Sequence, residues 1–184
     1  MVGQGKGGVL YTMSRMEFSF LEETLVAWRH VRAGVVDELK NIPPDKLDFR
    51  PTPEVRSVRE LVQHILEVAM FHTAELSRPD TNLKRYPMSE WGRRYAATAY
   101  DATKKQDLVK LLRSQIKDAE SAFRRMGDLA LWQLIEQFDG SLVTKFQRVH
   151  DGIGQEMYHR GQLTTYARLM GREPALTKLI RRGD

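Results

Sequence analysis

Apolar residues recur every three to four positions in four long stretches of the chain, the period of a helix with one buried face. The first stretch runs from about Glu17 to Lys40 and aligns Leu21, Leu25, Trp28, Val35 and Leu39. Asn41-Ile42-Pro43-Pro44 stops it, because proline cannot continue a helix. Ser57-Val58-Arg59-Glu60 has the spacing of a capping box and opens the second helix. That helix aligns Leu61, His64, Val68 and Phe71, with Val58, Leu61, Ile65, Ala69 and His72 on an overlapping face, and Arg78-Pro79-Asp80 closes it. The third helix spans Lys105 to Met126, with Leu108, Leu112, Ile116, Ala119 and Phe123 inward and Gly127 as its stop. The fourth runs from Leu142, after the turn Phe138-Asp139-Gly140-Ser141, to Met170 and Gly171. A short tail helix is expected over Thr177–Arg182, and no strand pair is expected. Residues 79–104 form a long mixed connection carrying Tyr86, Trp91, Tyr95 and Tyr100. Four amphipathic helices make an all-α four-helix bundle.

The 184 residues fit one domain over 17–184, preceded by a Gly-rich flexible tail over 1–16. Within that tail Gly3-Gln4-Gly5-Lys6-Gly7-Gly8 matches G-x-G-x-x-G, but no strand precedes it and no βαβ unit follows, so it is not read as a dinucleotide site. The chain has no cysteine, which excludes disulfides, thiolate metal sites and cysteine nucleophiles. No apolar run is long enough for a bilayer and no signal-peptide core is seen, so a cytoplasmic protein without a membrane partner is expected. The net charge is +5, yet Arg29, Arg32, Lys40, Arg59, Lys110, Arg113, Arg148 and Arg168 are dispersed along the chain. Dispersed charge of this kind reads as solvated helix faces, and a nucleic-acid partner is not expected.

Candidate chemistry rests on five histidines. His64 and His159 lie on inward stripes of different helices, where a bundle can bring two imidazoles to one cation. Gln155 precedes His159 by four residues and so shares its face. Glu156 is a stronger donor that points less well, and Glu156-x-x-His159 also has the spacing used by di-iron bundles, although no second such pair exists. His150 is about 180° from His159 on an ideal helix, and His30 sits beside an apolar stripe. A buried core histidine is the competing reading for each.

The segments Ile42-Pro43-Pro44-Asp45-Lys46-Leu47, Ser57-Val58-Arg59-Glu60-Leu61-Val62-Gln63-His64 and Tyr158-His159-Arg160-Gly161-Gln162-Leu163 together resemble the DinB-like family of damage-inducible bacterial proteins, which also includes thiol-dependent S-transferases. The likeness covers roughly residues 17–176. It implies a four-helix bundle with a mononuclear divalent site, zinc or nickel, built from three histidines. His64 and His159 match two of those ligands, while Gln155 stands at the third, where the family has histidine. An amide oxygen is a weaker donor than imidazole toward these metals, which implies a weak or altered site. By the same resemblance the chain is a homodimer and a metal-dependent thiol transferase or hydrolase-like enzyme acting on a small molecule. Tyr158, Arg160 and the aromatic connection over 86–100 are its expected substrate contacts. The alternative is a non-catalytic helical dimer, stress or damage associated, whose metal site has degenerated.

Overall fold

A computed structural model describes residues 19–183; the expected tail over 1–16 and the expected helix start at Glu17 lie outside them. Ser19 caps helix α1 (Phe20–Asn41) by accepting from the Glu22 backbone amide, and Glu22 and Glu23 complement the positive end of the helix. After the prolines and a 3-10 turn over Pro44–Lys46, Ser57 and Glu60 form the reciprocal capping box that starts α2 (Val58–Leu76). The long connection is largely helical, with a 3-10 turn at Met88–Glu90, α3 (Trp91–Tyr95) and α4 (Ala97–Asp101). Helix α5 (Lys105–Met126) ends at Gly127, whose φ of 81° only glycine adopts without strain.

The expected absence of strands and the start of the fourth helix at Leu142 are corrected here. Leu134–Glu136 (β1) and Leu142–Thr144 (β2) pair antiparallel, with Ile135 opposite Val143. Ile135 and Val143 alone turn inward, the period-2 alternation of a short half-buried ribbon. Gly140, at a φ of 88°, sits in the turn between them. Thr144 then caps α6 (Lys145–Leu169), and a final helix, α7 (Ala175–Gly183), lies against α1.

Helices α1 and α2 each pack on both α5 and α6, so the order around the bundle is α1, α5, α2, α6. Two apolar clusters fill it. One is built around Trp28, Phe71 and Phe123, the other around Val35, Leu61, Leu108 and Leu163. Full burial of a residue such as Leu25 or Leu39 contributes about 1.5–3 kcal/mol. A polar residue marks the change from one cluster to the other on three helices: Arg32, Gln115 and Glu156. The reading of Arg32 as a solvated surface charge is therefore corrected, since it is 1% exposed. Among the described residues no helix is long and apolar enough to cross a membrane.

Candidate metal centre

His64 lies on α2 and His159 on α6, and the packing of these helices brings the two rings together. Their centroids are 5.1 Å apart and the rings meet edge to face at 79°. His159 is buried, whereas His64 is partly open.

Each ring is held by an acceptor three residues further along its own helix, a spacing that puts the two side chains on one face. The Nδ1 of His64 faces Glu67 Oε2 at 3.3 Å, and the Nδ1 of His159 faces Gln162 Oε1 at 2.8 Å. Both partners are oxygens that only accept, so Nδ1 carries the proton in each neutral ring and Nε2 keeps its lone pair. The hydrogen bond from His64 holds the Glu67 carboxyl below its ordinary pKa, against the opposing effect of burial. Burial, and then the Glu67 carboxylate to which it donates, pushes the Tyr100 phenol up to about 12. Burial likewise lowers the His159 pKa, so its neutral form is favoured.

Beside His159, a cavity of about 10 Å³ is lined by that ring, His72, Gln155 and Glu156, with Trp28 and Gly152. It has room for about one water. Gln155 is exposed and stands on the rim of this cavity beside His159. Glu156 points inward but is committed elsewhere. Its Oε1 is ion-paired with Arg32 Nε, and its Oε2 accepts from Arg32 Nη2 at 2.9 Å and Trp28 Nε1 at 2.8 Å. The reading of Glu156 as a substitute ligand, or as half of a di-iron motif, is corrected by that pairing.

Tyr158 is exposed, with its ring 5.2 Å from that of His159. Arg160 leaves the opposite flank of α6 and lies over Gly34 of α1, so it is not brought to the histidine pair. In the aromatic connection, Trp91 stacks on Phe71 with centroids 3.8 Å apart, and Tyr95 donates to the buried Glu75 at 2.8 Å. Only Tyr100 reaches the histidines, through Glu67. His30 and His150 are exposed and take no part in the pair. The supporting residues Glu67 and Gln162 were not among the expected site residues. Their signal is an oxygen acceptor at i+3 from each histidine.

Among the described residues no three His, Cys, Asp or Glu side chains converge in ligand geometry. Gln155 shares a cavity lining with His159 but not with His64.

A sequence model of the DinB family matches residues 13–183. No curated protein matches the chain. Among solved structures, a DinB-like protein (YjoA) from Bacillus subtilis superposes with a TM-score of 0.62 at 20% identity, covering 82% of this chain and 92% of that one. YfiT from Bacillus subtilis, described as a probable metal-dependent hydrolase with an unusual four-helix bundle topology, gives 0.65 at 15% identity over 94% and 97%. A mycothiol-dependent maleylpyruvate isomerase gives 0.63 at 16% identity over 78% of this chain and 60% of that protein. At these identities the likeness to solved structures establishes the fold.

Proposed function

The chain belongs to the DinB family, and on that premise we propose that it is a metal-dependent enzyme whose divalent cation is held by His64, His159 and Gln155. The imidazole pair carries this reading. With metal–nitrogen bonds of about 2.0–2.1 Å, two rings sharing one tetrahedral cation have centroids about 5 Å apart. The separation here is 5.1 Å. Both Nδ1 atoms are taken by acceptors, which leaves two Nε2 lone pairs for a cation.

Zinc or nickel bound there would supply Lewis acidity, lowering the pKa of a thiol or water beside it. The chain's own residues do the positioning. Glu67 and Gln162 fix the ring orientation and tautomer of their histidines. The Tyr100 phenol stays protonated at neutral pH and holds Glu67 by donating to it. Tyr158, exposed beside His159, is placed to touch a bound small molecule. The relatives described as a mycothiol-dependent isomerase and a probable metal-dependent hydrolase support a thiol-dependent transfer or a hydrolysis as the reaction class. The same reading includes a cytoplasmic homodimer. Exposed Leu129, Trp132, Leu134 and Leu142, close together in the chain, leave apolar surface for a second copy.

Gln155, an exposed amide where an imidazole would bind more tightly, favours a second reading, a non-catalytic bundle with a degenerate centre. Titration with Zn²⁺ and Ni²⁺ decides between them. One equivalent bound by the wild type, and lost in both His64→Ala and His159→Ala, supports the enzyme. Binding that is absent, or that survives both changes, leaves the degenerate bundle.

A further inference from the structure

On the far flank of α6 from the histidines, α1, α6 and α7 enclose a groove with room of about 460 Å³, a volume in the range of small-molecule sites. Four cations from three helices line it: Lys40, Arg160, Lys178 and Arg182. One carboxylate, Asp37, lies with them, 3.9 Å from Lys40. Among the described residues neither Arg160 nor Arg182 forms an ion pair. Like charges gathered around one concavity repel each other and concentrate anions.

The groove is built rather than incidental. Gly34 is buried inside α1, where glycine costs about 1 kcal/mol relative to alanine. A Cβ at Gly34 would stand 2.2 Å from Arg160 Cζ, 2.4 Å from Nε and 2.5 Å from Nη1. The missing methyl is the seat of the guanidinium, at the floor of the groove. The opposite wall is fixed too. Buried Glu38 accepts from the first amides of α7, Ala175 at 3.0 Å and Leu176 at 3.3 Å. Asn41 donates to the Glu173 carbonyl at 2.8 Å and accepts from Lys178 Nζ at 2.6 Å. The cations therefore stand around a preformed space, and exposed Leu179 adds an apolar stretch to its lining.

We infer that this groove binds a small molecule bearing a phosphate or diphosphate group, with Arg160 as the bidentate anchor and its apolar part against Leu179. Four cations against two carboxylates, Asp37 and the buried Glu38 in the wall, leave a net positive charge that suits a multiply charged phosphate better than a monocarboxylate. The planar guanidinium matches two phosphate oxygens. This site is separate from the histidine pair and does not depend on a metal there.

The test is isothermal titration of the full chain with pyrophosphate and with ADP. Both are expected to bind one to one, and more weakly as salt is raised. Arg160→Ala should weaken binding about tenfold or more, as loss of a bidentate charged contact does. Gly34→Ala should weaken it similarly by displacing the guanidinium, while leaving the helix intact. The pair Lys178→Ala/Arg182→Ala, one half-buried and one exposed, tests the groove should Arg160→Ala fail to fold. Arg125→Ala, at the far end of α5, should bind as the wild type does. The inference is overturned if neither ligand binds at millimolar concentration, or if the groove variants bind normally. It is also overturned if Arg125→Ala loses as much affinity, or if vesicles containing phosphatidylglycerol bind while both soluble phosphates do not.

Discussion

Arg32 and Glu156 bury each other at the centre of the bundle, one on α1 and the other on α6, within a network that reaches all four long helices. The guanidinium also donates to the Leu112 carbonyl at 3.0 Å and to Gln115 Oε1 at 2.7 Å. Gln115 passes the network on to Thr73 of α2 at 3.0 Å, and Thr73 donates to the Ala69 carbonyl. Glu156 is three residues from His159, so this pair fixes the rotation of α6 and with it the direction in which His159 points. A buried ion pair is weak evidence for stability in itself, but it is costly to break halfway.

Arg32→Met alone should therefore destabilise the fold by about 3–5 kcal/mol, because Glu156 would be left buried and uncompensated. Glu156→Leu alone should cost a comparable amount. The double variant should recover much of the loss, since two apolar side chains of similar volume remove both charges together. Urea denaturation of the three variants measures this. Additive losses in the double variant would show that the two residues do not act as a pair.

The bundle was legible because its four apolar stripes are long and their caps are local. Ser57 and Glu60 mark the start of α2, and Gly127 marks the end of α5, without help from distant contacts. The β ribbon was not legible. Its strands are three residues each, too short for alternation to stand out, and they are set by pairing across the turn. His64 and His159 could be read from their stripes, whereas the fate of Glu156 could not. Periodicity places Glu156 near the inward face, but nothing local says that a buried arginine on α1 will claim both of its oxygens. For the same reason Arg32 looked like surface charge. Arg160 follows His159 in the motif, yet its guanidinium lies over Gly34 of α1, because neighbours on a helix point about 100° apart.

Gln155→His should raise Zn²⁺ and Ni²⁺ affinity, because imidazole outcompetes an amide oxygen and the i, i+4 spacing to His159 is already present. His150→Ala should leave affinity unchanged, since that side chain is exposed away from the pair. Replacing Glu67 by Gln should weaken binding about 10–100-fold by loosening His64, the usual effect of losing an outer-shell carboxylate. Calorimetric titration of the three variants checks all of this. No gain in Gln155→His would remove Gln155 from the proposed ligand set.

Acid should destabilise the fold partly through His72. Its ring is buried, its Nε2 has no hydrogen-bond partner among the described residues, and burial together with nearby Arg148 lowers its pKa to about 3. The unfolded chain takes up this proton near pH 6.5, while the folded chain does so only near pH 3. The contribution is therefore complete above about pH 6.5 and is lost progressively as pH falls toward 3, at up to about 1.4 kcal/mol per pH unit. His72→Phe, which cannot titrate, should show a shallower decline in denaturation free energy between pH 7 and pH 4. An equal slope in both proteins would remove His72 from the acid response.

Two glycines of α6 should respond in opposite ways to the same change. A Cβ at Gly152 would meet His72 Nδ1 at 2.4 Å and Cε1 at 2.9 Å, and that ring is buried. The ring cannot swing into solvent as an exposed side chain would, so Gly152→Ala should overpack the α2–α6 contact and cost about 1–3 kcal/mol. It should also disturb the cavity that His72 shares with His159. A Cβ at Gly154 would meet nothing within 4 Å. Gly154→Ala replaces the poorest ordinary helix former by the best one, and should stabilise the fold by up to about 1 kcal/mol. Thermal denaturation of the two variants side by side tests the packing of α2 on α6, because helix propensity alone predicts the same sign for both. A Gly152→Ala protein as stable as Gly154→Ala would mean that His72 does not lie against Gly152.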